Sequence, residues 1–249
     1  MKQEKVIIIT GAASGIGEET AYKLAETKAK LVISDLNEED GNKVVKKVKS
    51  MGTDAIFIKA DVSKANEVKL LIDKTVEHFG NLTGIFNNAG IGEMKPFLEL
   101  EQDDYDKMIN INQNGVFYGM QFAGRKMKEL GVKNGVIVNT ASIYGFIGAE
   151  ASAHYNATKA AVVSLTKSGA QALTKDGIRV VGVAPGFTKT AILEAVDDEM
   201  LEALKDFHMR EKLIEPGEIA NVVKFLFSDE SSAINGSTVL ADDGYLAFK

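Results

Sequence analysis

The chain reads as an α/β protein: one domain built on a doubly wound parallel sheet of about seven strands, flanked by helices. Three observations carry that reading. Short apolar runs alternate with helical periodicity four times by residue 90, and the connections are short. The first run, Val6-Ile7-Ile8-Ile9, is continuous and β-branched, as a strand covered on both faces of a parallel sheet requires. A glycine-rich turn, Thr10-Gly11-Ala12-Ala13-Ser14-Gly15-Ile16-Gly17, follows at once and leads into a helical pattern. A chain of 249 residues with 45% hydrophobic content can bury a large core, and no linker or repeat divides it. Residues 1–249 are therefore expected to form a single unit.

The elements follow in order. A helix is expected over 18–28, then a strand over 31–34 that ends at Asp35. In the next helix, 38–51, Lys43, Lys46, Lys47 and Lys49 interleave with Val44, Val45 and Val48. That is the wet face of an amphipathic helix rather than an anion-binding patch. A strand over 55–59 precedes Ser63, the expected N-cap of a helix with Val68, Leu71, Ile72, Val76 and Phe79 at helical spacing. The strand 84–87 runs into Asn88-Ala89-Gly90, and the alternation implies right-handed crossovers. The long helical stretch 102–131 loses its pattern around 110–115. A strand over 135–139, a loop over 140–148, a helix over 153–173 and a strand over 179–183 lead to the Pro185-Gly186 break. Residues 187–212 are acidic and weakly patterned, as a substrate lid would be. Pro216 suits the first turn of a helix over 217–227, and 238–241 is the last expected strand.

Composition excludes several functions. A net charge of −6 and a pI near 5.3 argue against a nucleic-acid partner, which needs a basic face. With no cysteine there is no disulfide or thiolate chemistry, and His78, His154 and His208 lack ligand spacing, so no metal is expected. The four-residue apolar run near the start is too short for a signal core or a membrane span. A soluble cytoplasmic protein with a small-molecule substrate and no membrane partner is the expectation.

The glycine turn is the first site with chemistry. Gly11, Gly15 and Gly17 permit a tight turn and close backbone approach, and the helix N-terminus offers N–H groups and a positive dipole end to a pyrophosphate. Asp35 lies 18 residues past Gly17, at the end of the second strand, where an acid can accept from both ribose hydroxyls. It would repel a 2′-phosphate, and neither Ala12, Ala13 nor Leu36-Asn37 supplies a basic partner for one. NAD is therefore expected over NADP. Tyr155 and Lys159 stand four apart on a helix and share a face. A free phenol titrates near about 10, and an ammonium beside it would bring it toward working range as a proton-transfer group. Alone the pair carries little, since Tyr245 and Lys249 share its spacing.

Taken together, these motifs resemble the short-chain dehydrogenase/reductase family, nearly from end to end. The family's Thr-Gly-x-x-x-Gly-x-Gly motif stands at Thr10 to Gly17, its Asn-Asn-Ala-Gly motif at Asn87 to Gly90, and its Tyr-x-x-x-Lys motif at Tyr155 to Lys159. Its serine thirteen residues before the tyrosine is Ser142, and its mid-helix asparagine is Asn112. Its Pro-Gly turn is Pro185-Gly186 with Thr188, and its adenine contact is Asp61-Val62.

The resemblance implies a Rossmann-type fold and hydride transfer between NAD(H) and a secondary alcohol or ketone. Tyr155 would be the acid/base, Lys159 would stabilise the phenolate and hold the nicotinamide ribose, Ser142 would hold the substrate oxygen, and Asn112 would anchor a water. Cofactor contacts are implied at Gly11, Ser14, Gly15, Ile16, Gly17, Asp35, Leu36, Asp61, Val62, Asn88, Ala89, Gly90, Tyr155, Lys159, Pro185, Gly186 and Thr188. Substrate is expected against Ile91, Gly92, Ile143, Ala149 and Phe187; His154 is left out because its helix turns it away from Tyr155. Glu194, Asp197, Asp198, Glu199 and Glu202 around the lid fit a neutral substrate, and equally a solvated acidic helix face. A homotetramer is implied, with 102–131 and 153–173 between subunits. The competing readings are a 3-oxoacyl thioester reductase and an NAD(H)-binding sensor without turnover.

Overall fold

The computed structural model describes residues 4–193 and 197–247. Among them seven parallel strands form one sheet, in the order β3-β2-β1-β4-β5-β6-β7. The strands are β1 (Val6–Thr10), β2 (Lys30–Asp35), β3 (Ala55–Lys59), β4 (Gly84–Asn87), β5 (Gly135–Thr140), β6 (Ile178–Pro185) and β7 (Thr238–Ala241). Because β1 is central, both its faces are covered, and all five of its residues are buried. Side chains alternate across a strand. Ile7, Ile9, Leu31 and Ile33 accordingly join one apolar core, and Ile8, Val32, Ile85 and Ile137 join the other.

The first core is covered by α1 (Gly15–Ala25), α2 (Glu38–Ser50) and α8 (Pro216–Leu226), which supply Leu24, Val44, Val48, Ile219 and Val223. The second is covered by α3 (Ala65–Phe79), α5 (Gly115–Glu129) and α6 (Ala153–Leu173), which supply Leu71, Ile72, Met120, Ala123 and Val162. On α2 the three valines are buried and the four lysines exposed, as their interleaving requires.

Three local expectations are revised. α1 begins at Gly15, not at 18, and ends at Ala25, so the glycine turn itself winds into the helix. α3 has Lys64, not Ser63, as its N-cap residue. Ser63 instead turns its hydroxyl (2.7 Å) and its N–H (3.0 Å) onto Asp61 Oδ1, because a carboxylate two residues back is a stronger local acceptor than the helix end is a donor. β6 continues through Pro185, two residues beyond the expected end.

The stretch 102–131 does break where its periodicity fails. α4 (Gln102–Met108) and α5 are joined by a π-helical turn, Ile109–Asn114, which Gly115 N–H closes onto the Asn110 carbonyl. Within the expected lid, α7 (Asp198–Lys205) is capped by the Asp197 side chain on Met200 N–H at 2.8 Å. Glu194 and Lys249 lie outside the described residues. No helix among those described is long and apolar enough to cross a membrane.

A buried polar ladder joins the two halves of the sheet to the helices: Asn87 Nδ2 donates to Asn139 Oδ1 (2.9 Å), and Asn139 Nδ2 donates to Thr166 Oγ1 (3.0 Å). Gly119 on α5 makes room for it, since a Cβ there would lie 1.9 Å from Asn87 Oδ1. Gly119→Ala therefore sets two effects against each other. Helix propensity favours alanine by about 1 kcal/mol, whereas overpacking a core costs about 1–3 kcal/mol. The amide is held by Asn139 and cannot retreat cheaply, so the substitution should lower the urea midpoint at an unchanged slope. A raised midpoint would show that the ladder yields.

Candidate active site

The site is built at the carboxyl ends of β1, β4, β5 and β6, where their loops meet. Gly11 and Gly15 take left-handed φ values of +62° and +56°. At Gly17 a Cβ would lie 2.1 Å from the Gly11 carbonyl oxygen, so no larger residue fits this turn. The first helical bond of α1 runs from Glu18 N–H to the Ser14 carbonyl at 3.2 Å, which leaves the N–H groups of Gly15, Ile16 and Gly17 ahead of the ladder. Ser14, at the N-cap, is exposed and makes no side-chain capping bond. This cradle of backbone donors at a positive helix end fits a pyrophosphate.

Thr10 and Asn88 hold the cradle in place. Thr10 Oγ1 accepts the N–H groups of Asn88 (3.0 Å) and Ala89 (3.1 Å), and Asn88 Nδ2 donates to the carbonyls of Thr10 (3.0 Å) and Gly11 (3.1 Å). A Cβ on Gly11 would meet Ala89 Cα at 2.7 Å. Asn88 thus spends its side chain on scaffold. Thr10 is the keystone of this contact, a role that its place in the glycine motif does not by itself indicate.

Asp35 closes the far side of the turn: its Oδ2 accepts Ala13 N–H and its Oδ1 accepts Asn37 N–H, both at 3.0 Å. Leu36 beside it is 58% exposed, an apolar surface next to the carboxylate. Asp61 is tied to Ser63 and, at 3.2 Å, to Lys64. Burial raises its carboxyl, but the Ser63 and Lys64 hydrogen bonds outweigh burial and hold it below its ordinary value. Val62 packs over Gly115, at 3.0 Å from that glycine's Cβ position.

On the opposite wall, Asn112 is fully buried in the π-helical turn. Its Oδ1 accepts Ile91 N–H and its Nδ2 donates to the Ile91 carbonyl, both at 2.8 Å. The amide therefore clamps the loop after β4. Lys159 Nζ lies 3.7 Å from the Cβ position of Gly90 and Asn112 Oδ1 lies 3.0 Å from the same point, so three of the expected residues converge.

Tyr155 and Lys159 project from the first turns of α6 toward Ser142 at the end of β5. Lys159 donates to the Thr140 carbonyl at 3.0 Å and sits 5.5 Å from the centre of the Tyr155 ring. Burial pushes its ammonium down to about 8. Burial also raises the Tyr155 phenol above its ordinary value, only partly opposed by a hydrogen bond with Ser142. That is the reverse of the direction expected from a neighbouring ammonium. The lysine's own desolvation and its bond to Thr140 leave burial as the dominant influence on the phenol.

One wall of the cleft is aromatic. The Tyr144 ring stands edge-on to Tyr155 (6.2 Å) and to Phe187 (5.9 Å), and Phe187 stands edge-on to Tyr245 (5.8 Å). Burial pushes the Tyr144 phenol up to about 12, so it stays neutral. Of the expected substrate contacts, Phe187 lies in this wall, while Ile143 is buried. Thr190 and Ile192 reach across to Gly15 and Gly92, at 3.2 and 2.7 Å from their Cβ positions. Tyr144 and Tyr245 escaped the sequence reading. Tyr144 had a signal, two residues past Ser142; Tyr245 had none, because only β7 carries it here. His154 is fully buried, with Glu93, Lys95 and Asp104 setting its electrostatic surroundings. Thr188 Oγ1 donates to the Gly186 carbonyl at 3.0 Å, beside Pro185 at the end of β6.

Comparison with known proteins agrees with this geometry. Residues 11–246 match the family model described as enoyl-(acyl carrier protein) reductase. The chain is 38% identical over 242 residues to cyclohexanol dehydrogenase of Acinetobacter sp. (strain SE19), covering 97% of this chain and 94% of that protein. It is 36% identical over 245 residues to a 3-oxoacyl-(acyl-carrier-protein) reductase of Staphylococcus aureus (strain Mu50), covering 98% and 99%. The crystal structure of levodione reductase superposes with a TM-score of 0.92 at 34% identity, covering 98% of both chains. A cradle for a pyrophosphate, a Tyr-Lys-Ser cluster at the strand ends and full-length likeness to dehydrogenases and reductases lead to one conclusion: this chain is an oxidoreductase of the short-chain dehydrogenase/reductase family, whose members use a nicotinamide cofactor.

Proposed function

We propose that the protein transfers hydride between NAD(H) and a secondary alcohol or its ketone, with Tyr155 as the acid/base. The observation that carries this is the meeting of Tyr155, Ser142 and Lys159 beside the glycine cradle. The cofactor, held by the cradle, by Asp35 and by Lys159, supplies the hydride donor or acceptor. Ser142 bonds the substrate oxygen and stabilises charge developing there. In reduction Tyr155 gives its proton to that oxygen; in oxidation it takes one as phenolate.

Because burial raises the Tyr155 phenol, it is protonated and ready as an acid at neutral pH. Oxidation requires the minority phenolate, so its kcat/KM should climb with pH from about 6 to about 9, while reduction should not. Tyr155→Phe should lower turnover in both directions by at least about 100-fold and leave NADH affinity within about twofold. Steady-state kinetics and NADH fluorescence titration check both. Retained turnover in the variant would remove Tyr155 from the role.

Asp35 supports NAD over NADP. A unit charge at about 5 Å from a carboxylate costs on the order of 3 kcal/mol at an effective dielectric of about 20, before salt screening. Asp35→Ala should therefore weaken NAD binding and narrow the preference against NADP by about tenfold or more. An unchanged preference would sink the assignment.

The 36% identity to a 3-oxoacyl-(acyl-carrier-protein) reductase favours one alternative, reduction of a 3-oxoacyl thioester. Faster turnover of an acetoacetyl thioester with NADPH than of simple ketones with NADH would select it. A non-catalytic NAD(H) sensor, the remaining possibility, is disfavoured by the intact Tyr155, Lys159 and Ser142 cluster. We further propose a homotetramer in which 102–131 and 153–173 meet across subunits. Exposed apolar side chains near these helices, including Phe97, Leu98, Tyr105 and Phe117, support it. Light scattering should give four times the 26.8 kDa chain mass, and a monomer would refute it.

A further inference from the structure

His208 is 1% exposed and lies outside the Tyr155 cluster, yet both its ring nitrogens are engaged. Nε2 lies 3.2 Å from Phe187 N–H, and Nδ1 lies 2.8 Å from the Lys212 carbonyl. A backbone N–H can only donate and a carbonyl can only accept. The ring must therefore be the neutral tautomer with its proton on Nδ1 and an acceptor at Nε2. Its two partners, Phe187 and Lys212, are the end residues of the stretch 187–212. The neck of that segment is also closed by backbone bonds, Ile214 N–H to the Phe187 carbonyl and Lys189 N–H to the Ile214 carbonyl, both at 2.9 Å.

The position of the ring is itself fixed. Met209 N–H donates to the Asp243 carbonyl at 3.0 Å, and Arg210 pairs with the Asp243 carboxylate at 2.8 Å, so the chain around His208 is fastened to the tail after β7. Gly186 lies close beside the ring, where a Cβ would meet Nε2 at 2.7 Å. The imidazole also contacts the Phe187 ring, with centres 5.7 Å apart. Phe187 in turn packs on Tyr144, and Tyr144 on Tyr155.

The geometry points to His208 as a positioning residue for the substrate cleft: its Nε2 holds Phe187 by the backbone and so sets the aromatic wall beside Tyr155. It touches neither the reacting atoms nor the cradle, so its effect should fall on substrate binding. Losing a buried acceptor leaves the Phe187 N–H without its partner, and the wall relaxes around it. The proposal rests on Tyr155 being the acid/base of a ketone reduction.

Two amide substitutions separate the two bonds. His208→Gln can place its carbonyl oxygen near the Nε2 position and keep Phe187; His208→Asn can place its NH2 near Nδ1 and keep only Lys212. Cyclohexanone, diacetyl and an acetoacetyl thioester are tested with NADH, and the fastest is used throughout. His208→Asn should raise its KM about tenfold, with kcat and NADH affinity within about twofold. His208→Gln should stay within about threefold of the wild type in all three. Equal KM increases in both variants, the reverse order, or losses confined to kcat and NADH affinity would overturn the proposal. If His208→Asn is insoluble, Phe187→Ala decides in its place: the same KM increase at retained kcat is expected, and an unchanged KM overturns the proposal. Tyr155→Phe is run alongside. If it retains turnover, or if the wild type reduces none of the three probes, the acid/base reading fails and the proposal with it; if Tyr155→Phe is inactive and His208→Asn behaves as wild type, the positioning role alone fails.

Discussion

The site depends on how closely the glycine turn can approach the end of β4. Gly11 meets Ala89 where a Cβ would stand only 2.7 Å from its Cα, and Gly17 meets the Gly11 carbonyl where a Cβ would stand at 2.1 Å. That contact lets Thr10 Oγ1 reach two backbone N–H groups on β4's loop, and lets Asn88 reach two carbonyls back on the turn. Four hydrogen bonds then aim the start of α1 into the crevice. Such partly buried bonds cost more to lose than to form, to the extent that an orphaned group is kept from water. The turn is thus held by its neighbours as well as by its own glycines.

Desolvation sets the chemistry on the other side of the crevice. Burial lowers Lys159 to about 8 and raises Tyr155, so each shift favours the neutral form of its group. A salt-bridge picture of the pair would predict shifts of the opposite sign. The lysine's bond to Thr140 and the tyrosine's bond to Ser142 instead place a neutral proton donor beside a weakly held cation. The acid role proposed for Tyr155 in reduction needs no more than that.

The aromatic wall and its anchor show how distant parts of the chain share one site. Tyr144 comes from the loop after β5, Phe187 from the end of β6 and Tyr245 from the tail after β7. These three come together because β5, β6 and β7 are adjacent and parallel, with all their carboxyl ends at one edge. His208 extends the same logic, since it takes its support from Asp243 and Met209 and passes it to Phe187.

The sequence by itself determined the order of strands and helices and the place of the glycine turn, and the family resemblance of its motifs pointed to Tyr155, Lys159, Ser142 and Asn112. The first two rest on local periodicity and on glycines standing where the chain makes a tight turn or a close backbone approach, which can be read within a few residues. It also located the irregularity around 110–115, because a lost period is as visible as a kept one. What it could not determine was what each side chain would spend its hydrogen bonds on. Ser63 serves Asp61 instead of capping α3, Asn112 clamps Ile91, and Asn88 secures the glycine turn. The direction of the Tyr155 shift was likewise out of reach, because burial depends on what packs over the phenol. Tyr245 stands at the same spacing to Lys249 as Tyr155 does to Lys159, and that spacing says nothing of where its ring lies. Only the sheet, by carrying β7 alongside β6, brings its ring to Phe187. Spacing is a property of one segment, whereas desolvation and hydrogen-bond partnership belong to surfaces that meet only after folding.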